Sequence, residues 1–225
     1  MMKFWSMDIK VDQRTIIVFD LDDTLYNEIE FLKSAYLEIA QKLEKDSFLR
    51  LYAKMFSLYR SKQDVFNFLS ERYKVPKSGL ISDYRGHKPK IKLFDGVLII
   101  LENIQRNEGK IGLITDGRTQ TQTSKIEALG LLPYLDHIII SEELGTEKPD
   151  PNNYKVMEST FGKGSYYYIA DNLRKDFVTP NALGWNTIGV IDNGLSIHSD
   201  SHLYMKAKYE PKNYITSIGE LKITR

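Results

Sequence analysis

The chain of 225 residues has no cysteine. Disulfides, thiolate metal sites and cysteine nucleophiles are therefore excluded. It also has little net charge, +1 in total, so no strong overall field draws it to nucleic acid or an anionic membrane. Long apolar runs are missing; a stretch such as Val97 to Leu101 is far too short to span a bilayer. The opening stretch from Met1 to Arg14 is broken by charges and lacks the apolar centre of a signal peptide, so a cytoplasmic protein is expected. Glycine first occurs at Gly79 and proline at Pro76. What is present is an ordinary globular balance, 42% hydrophobic and 27% charged, in a chain long enough to fold around its own core.

Thr15 to Asp20 is a short β-branched apolar run ending in an acid, the pattern of a strand covered on both faces. Lys110 to Thr115, His137 to Ile140, Tyr166 to Ala170 and Thr187 to Ile191 read the same way. Helical patterns lie between them, over Asp95 to Asn107, Thr119 to Leu129, Asn153 to Phe161 and, despite Pro180, Asp176 to Leu183. This alternation predicts an α/β fold with a parallel sheet covered by helices. A last strand-like element, followed by a short helix, is expected within Pro211 to Leu221.

About ninety residues separate the first two strands, far more than one crossover needs. Ile29, Leu32, Ala35, Tyr36, Ile39, Ala40 and Leu43 form a stripe of period near 3.6. Phe48 to Tyr59 and Asp64 to Tyr73 continue the helical character. Residues 26–87 are read as an inserted all-helical subdomain, and residues 1–25 with 88–225 as the core. The joints fall after Asp23 and within Gly86 to Lys92.

Four short motifs follow strand ends, the edge where open parallel sheets place their sites. Asp20-Leu21-Asp22-Asp23-Thr24 puts two carboxylates at i and i+2, so one can attack while the other moves protons. Thr115-Asp116-Gly117 offers a hydroxyl and backbone N–H groups to a phosphoryl oxygen, or is a plain Asp-Gly turn. Lys148-Pro149-Asp150-Pro151 sets a compact positive charge in a stiffened loop, and Pro151 can open the next helix. Asp171 and Asp176, in Ala170 to Asp176, supply oxygen ligands suited to Mg²⁺; Asp176 can equally cap a helix.

The order and strand context of these motifs resemble the haloacid dehalogenase superfamily, across about Thr15 to Thr24 and Lys90 to Arg225. The resemblance implies a Rossmann-like core, with the helical insert as a cap that covers the site and helps choose the substrate. It implies a phosphatase in which Asp20 is the covalent nucleophile and Asp22 the general acid–base. Thr24 orients the nucleophile loop, and Thr115, Asp116 and Gly117 hold the phosphoryl group. Lys148 neutralises charge. Mg²⁺ is held by Asp20, the backbone carbonyl of Asp22, and Asp171, with Asp176 as a ligand or supporting partner. Asp116 stands where the family more often has Asn, and Ala170-Asp171 where it has Gly-Asp. Arg85, His87 and Lys88 near the return joint, and Arg118 after the second motif, are candidates to reach the leaving group, or are solvated. His137 and His198 lack metal-like spacing and receive no role, and the tyrosines of 166–168 are read as packing.

The partner expected is a small phosphorylated metabolite, a sugar phosphate or nucleotide, with no nucleic acid or membrane. A phosphomutase on the same scaffold stays open. A metal-independent dehalogenase would leave Asp22, Asp171 and Asp176 without work, and a silent binding protein would leave the whole motif set without it. Oligomeric state is not legible.

Overall fold

The architecture comes from a computed structural model that describes residues 7–225. Residues 1–6 lie outside it, and so does that part of the expectation about the opening stretch. The strands are β1 (Met7–Lys10), β2 (Thr15–Phe19), β3 (Lys110–Thr115), β4 (His137–Ile140), β5 (Ser165–Ala170), β6 (Asn186–Val190), β7 (Asn213–Ile215) and β8 (Leu221–Thr224). Six of them form one parallel sheet in the order β4-β3-β2-β5-β6-β7. β1 and β8 pair separately, also in parallel, with Met7 opposite Leu221. The segment after Pro211 thus holds strand β7 and a short 3-10 turn, as read from sequence, and then the additional strand β8.

β2 explains why the apolar runs are continuous. Successive side chains of a strand point to opposite faces. Ile17 and Phe19 enter one core with Val97, Leu101 and Leu113; Ile16 and Val18 enter the other with Tyr154, Met157, Tyr168 and Trp185. Each such fully buried side chain contributes roughly 1.5–3 kcal/mol relative to exposure. Gly112 in β3 permits this packing: a Cβ there would lie 2.7 Å from the sulfur of Met157.

The helices are α1 (Glu28–Leu43), α2 (Phe48–Arg60), α3 (Val65–Tyr73), α4 (Lys77–Gly86), α5 (Val97–Arg106), α6 (Thr119–Ala128), α7 (Ser141–Leu144), α8 (Pro151–Phe161) and α9 (Val178–Ala182). α1 to α4 share a third core built on Leu32, Tyr36, Ile39, Leu51, Met55 and Leu69. Local chemistry sets several helix starts. The Asp64 carboxylate accepts from the Asn67 N–H at 2.9 Å, and that of Asp150 from Asn152 N–H at 2.8 Å with Pro151 at the first helical position. α9 starts later than the pattern suggested, because Asp176 does not cap it: its carboxylate turns to Lys148 and to the Asn172 N–H. Pro180 falls in the first turn of α9, where no helical donor is needed. Among the described residues no helix is long and apolar enough to cross a membrane.

The chain leaves β2 for β3 on one side and later reaches β5 on the other. Such a reversal opens a crevice beyond the strand ends. Asp20, Asp116 and Asp171 are the first residues past β2, β3 and β5.

Candidate active site

A cavity of about 130 Å³ lies at that edge, lined by Asp20, Asp22, Thr115, Asp116 and Asp171 together with Asp23, Glu28, Asn172, Lys175 and His198. The Asp20 N–H extends the ladder to the Ile169 carbonyl at 2.9 Å, which fixes the residue as the strand ends. Its Oδ1 meets Lys148 Nζ at 2.5 Å, and its Oδ2 accepts from the Thr24 hydroxyl at 3.3 Å. Lys148 also pairs with Asp176 at 2.7 Å, and its side chain is fully buried. Burial alone would favour a neutral amine, but Asp176 and Asp20 outweigh it and hold Lys148 charged, well above its ordinary value.

Asp176 is held by three groups: Lys148, the Tyr168 hydroxyl at 3.2 Å and the Asn172 N–H at 3.0 Å. Tyr168 therefore does more than pack, although its ring does lie against Tyr154 and Trp185. Asp171 differs. Thr24 approaches it at 3.4 Å, and it makes no ion pair among the described residues. Burial, then the charges of Asp20 and Asp176, push its carboxyl well up, and burial raises Asp20 to about 6 against the pull of Lys148. Asp20, Asp171 and Asp176 each offer an oxygen within 4.8 Å of the others. Three hard oxygens, one on a carboxylate without a protein cation, fit a divalent cation such as Mg²⁺.

Asp22 faces a separate set of partners. Lys125 Nζ lies 2.7 Å from its Oδ1, the Gln122 amide donates to its Oδ2 at 3.0 Å, and the Tyr26 hydroxyl donates to it as well. Burial works against the charged form, yet Lys125 and these hydrogen bonds together keep Asp22 below the ordinary carboxyl range. Lys125 is 3% exposed; it also stands 3.6 Å from Glu28 and 4.7 Å from the centre of the Phe31 ring. Burial pushes Glu28 up to about 8. Gln122 further donates to the Thr115 hydroxyl. Gly117, at φ +141°, takes a backbone that L residues avoid, and a Cβ there would press on Gln122 at 3.2 Å. Its N–H donates to Ser141 Oγ at 2.9 Å.

Asp116 accepts from the Lys148 N–H at 3.1 Å and from Lys175 Nζ at 2.7 Å, tying the second, third and fourth motifs together. Asp23 accepts from the N–H groups of Glu28 and Ile197, both at 2.8 Å, and so fastens the start of α1 and the loop bearing His198. Arg85, His87 and Lys88 do not line the cavity: the Arg85 carbonyl accepts from Thr121 at 3.2 Å, and His87 is buried against Phe31. Arg118 also lies outside it, paired with Glu142 at 2.5 Å. Gln122, Lys125, Glu28 and Lys175 were not singled out from sequence, and His198, given no role there, lines the cavity.

Comparison with known proteins places this arrangement. Residues 17–190 match the family model of the haloacid dehalogenase-like hydrolases, so the chain belongs to that family and is an enzyme of it. It is 28% identical over 198 residues to the glyceraldehyde 3-phosphate phosphatase of Methanocaldococcus jannaschii, covering 78% of this chain and 84% of that one. It is 26% identical to the ribulose-1,5-bisphosphate 5-phosphatase of Halopiger xanaduensis, covering 92% and 97%. Its fold matches the magnesium-bound HAD hydrolase YfnB of Bacillus subtilis with a TM-score of 0.61 at 21% identity, covering 93% and 96%.

Proposed function

We propose that the chain is a Mg²⁺-dependent phosphatase that hydrolyses a monoester of a small phosphorylated metabolite through an aspartyl-phosphate on Asp20. The observation that carries the reading is the division of labour between two carboxylates. Asp20 sits between Lys148 and the acids Asp171 and Asp176, whereas Asp22, two residues on, is held by Lys125 and Gln122. The phosphatase names of the relatives support it.

An oxygen of Asp20 attacks phosphorus and the bond to the leaving oxygen breaks; Asp22, ionised beside Lys125, takes up the proton carried by a monoanionic ester and delivers it to that oxygen. Asp22 then takes a proton from water, which attacks the aspartyl-phosphate and releases inorganic phosphate with Asp20 restored. Lys148 and the Thr115 hydroxyl face the charge on the phosphoryl oxygens. Asp20, Asp171 and the backbone of Asp22 would hold Mg²⁺, with Asp176 steadying Lys148 beside them. The ion supplies positive charge that offsets repulsion between an anionic nucleophile and an anionic ester. The helices of 26–87 serve as the cap over this cavity. Halide release needs no cation and gives the acid group no task.

Phosphate release from para-nitrophenyl phosphate, with Mg²⁺ and with EDTA, tests the reading. Turnover that requires both Mg²⁺ and Asp20 is expected; full activity in Asp20→Asn refutes it.

A further inference from the structure

The relatives' names point to different leaving groups, but the cavity itself carries information about that half of the substrate. Its volume, about 130 Å³, is well under the roughly 300–1,000 Å³ of pockets that enclose drug-sized ligands. With the phosphoryl group against Asp20, Thr115 and Asp171, as the phosphatase reading requires, little room is left for a nucleoside.

The charges are equally restrictive. Among the described residues, the lysines lining or flanking the cavity already have internal partners. Lys148 lies between Asp20 and Asp176, Lys175 is 2.7 Å from Asp116, and Lys125 is 2.7 Å from Asp22. Arg118 is paired with Glu142 outside the cavity. The rest of the lining includes Glu28 on α1, Asp23 at the joint, and His198 on the loop after β6. Each oxygen of the Asp23 carboxylate already accepts from a backbone N–H group. Among the described residues Glu28 has only the distant Lys125 at 3.6 Å, so its carboxyl retains capacity for a hydrogen bond. Burial and Lys175 both favour the neutral form of His198.

Resting on the phosphatase reading above, we propose that the leaving group is short, uncharged and hydroxyl-bearing, and that Glu28 determines this by hydrogen-bonding a substrate hydroxyl. A second anion on the substrate would meet Glu28 with no unpaired cation among the cavity's described residues to receive it. A carboxyl matches a hydroxyl in either protonation state, as acceptor or as donor. Because Glu28 is the first residue of α1, the same contact makes recognition depend on the position of the helical insert.

The test compares phosphate release from glycerol 1-phosphate, 3-phosphoglycerate and uridine 5′-monophosphate by the full chain with Mg²⁺, with para-nitrophenyl phosphate as a reference ester. Glycerol phosphate and phosphoglycerate are similar in size and differ in a carboxylate. Glycerol phosphate is expected to exceed both others in kcat/KM by at least about tenfold. Glu28→Gln, which keeps shape and cannot ionise, is expected to narrow the gap to phosphoglycerate severalfold at pH 9, where the native carboxyl is charged, mostly through KM. Glu28→Ala narrows it further, and circular dichroism checks that both variants fold. Equal or better turnover of phosphoglycerate or the nucleotide by the native chain overturns the leaving-group assignment. An unchanged ratio in both folded variants overturns the role of Glu28. No phosphate release from any ester, including para-nitrophenyl phosphate, overturns the phosphatase reading instead.

Discussion

Replacing the nucleophile with its neutral isostere should make the metal-free protein more stable while abolishing its chemistry. In the fold, burial raises the Asp20 carboxyl from 3.8 to about 6, even with Lys148 alongside. A carboxyl raised on folding favours the native state below its unfolded value and loses that contribution as pH climbs through the folded one. Between pH 4 and pH 7 the native protein therefore forfeits about 3 kcal/mol at this one residue. Asn in its place keeps a hydrogen-bonding oxygen for Lys148 and carries no charge, although an amide still loses some hydration. The expected gain for Asp20→Asn in EDTA at pH 7.5 is about 1–3 kcal/mol, or roughly 2–10 °C in Tm for a chain of this size. It should shrink towards zero near pH 4.5, where the native carboxyl is protonated. Thermal unfolding of both proteins at the two pH values measures it, and turnover should fall by at least about 10³-fold. A variant that is no more stable at pH 7.5, or equally stabilised at both pH values, would refute the reasoning.

Lys148→Met leaves Asp20 and Asp176 buried without their cation, and a loss of about 3–5 kcal/mol in urea unfolding is expected at pH 8. The loss should lessen near pH 5, where Asp20 takes up a proton. In Lys125→Met the Asp22 carboxyl loses its chief cationic partner and its pKa rises, so the acid limb of the rate profile should move to higher pH and kcat/KM fall about 10–10²-fold. Lys125→Arg should recover part of that activity. Mg²⁺ should raise Tm more at pH 7.5 than at pH 5, because a proton occupies Asp20 at the lower pH; calorimetry with and without EDTA reads the difference.

Much of the core was legible because β2, β3 and β5 are buried on both faces and so appear as unbroken apolar runs. The acids stood out because each follows such a run directly. The groups around Asp22 were not legible for a converse reason. α6 reads Thr-Gln-Thr-Gln-Thr-Ser-Lys, a polar face that looks solvated, and nothing local shows that Gln122 and Lys125 turn inward to a carboxylate a hundred residues earlier. Glu28 resembled a first-turn acid placed for the helix dipole, which it also is. Arg118 offered a charge beside the second motif, but Glu142, from a different element, holds it away from the cavity. His198 depends on the Asp23–Ile197 hydrogen bond, a contact between residues 174 positions apart.

The pairing of β1 with β8 bears on how the chain assembles. Met7 and Leu221 can meet only after more than two hundred intervening residues are arranged, so their ladder closes the longest loop in the described structure. Loop-closure entropy grows slowly with length, and the cost is bearable; the delay is greater, because contacts so distant in sequence form late. The six-stranded sheet can be complete while this pair is still open. Ile9, Val11, Ile218 and Leu221 seal one core beside α5, so an unpaired end would expose apolar side chains on an intermediate that already has its sheet. The two-stranded seam is thus the last joint to close during folding and the first from which amide hydrogen exchange should spread.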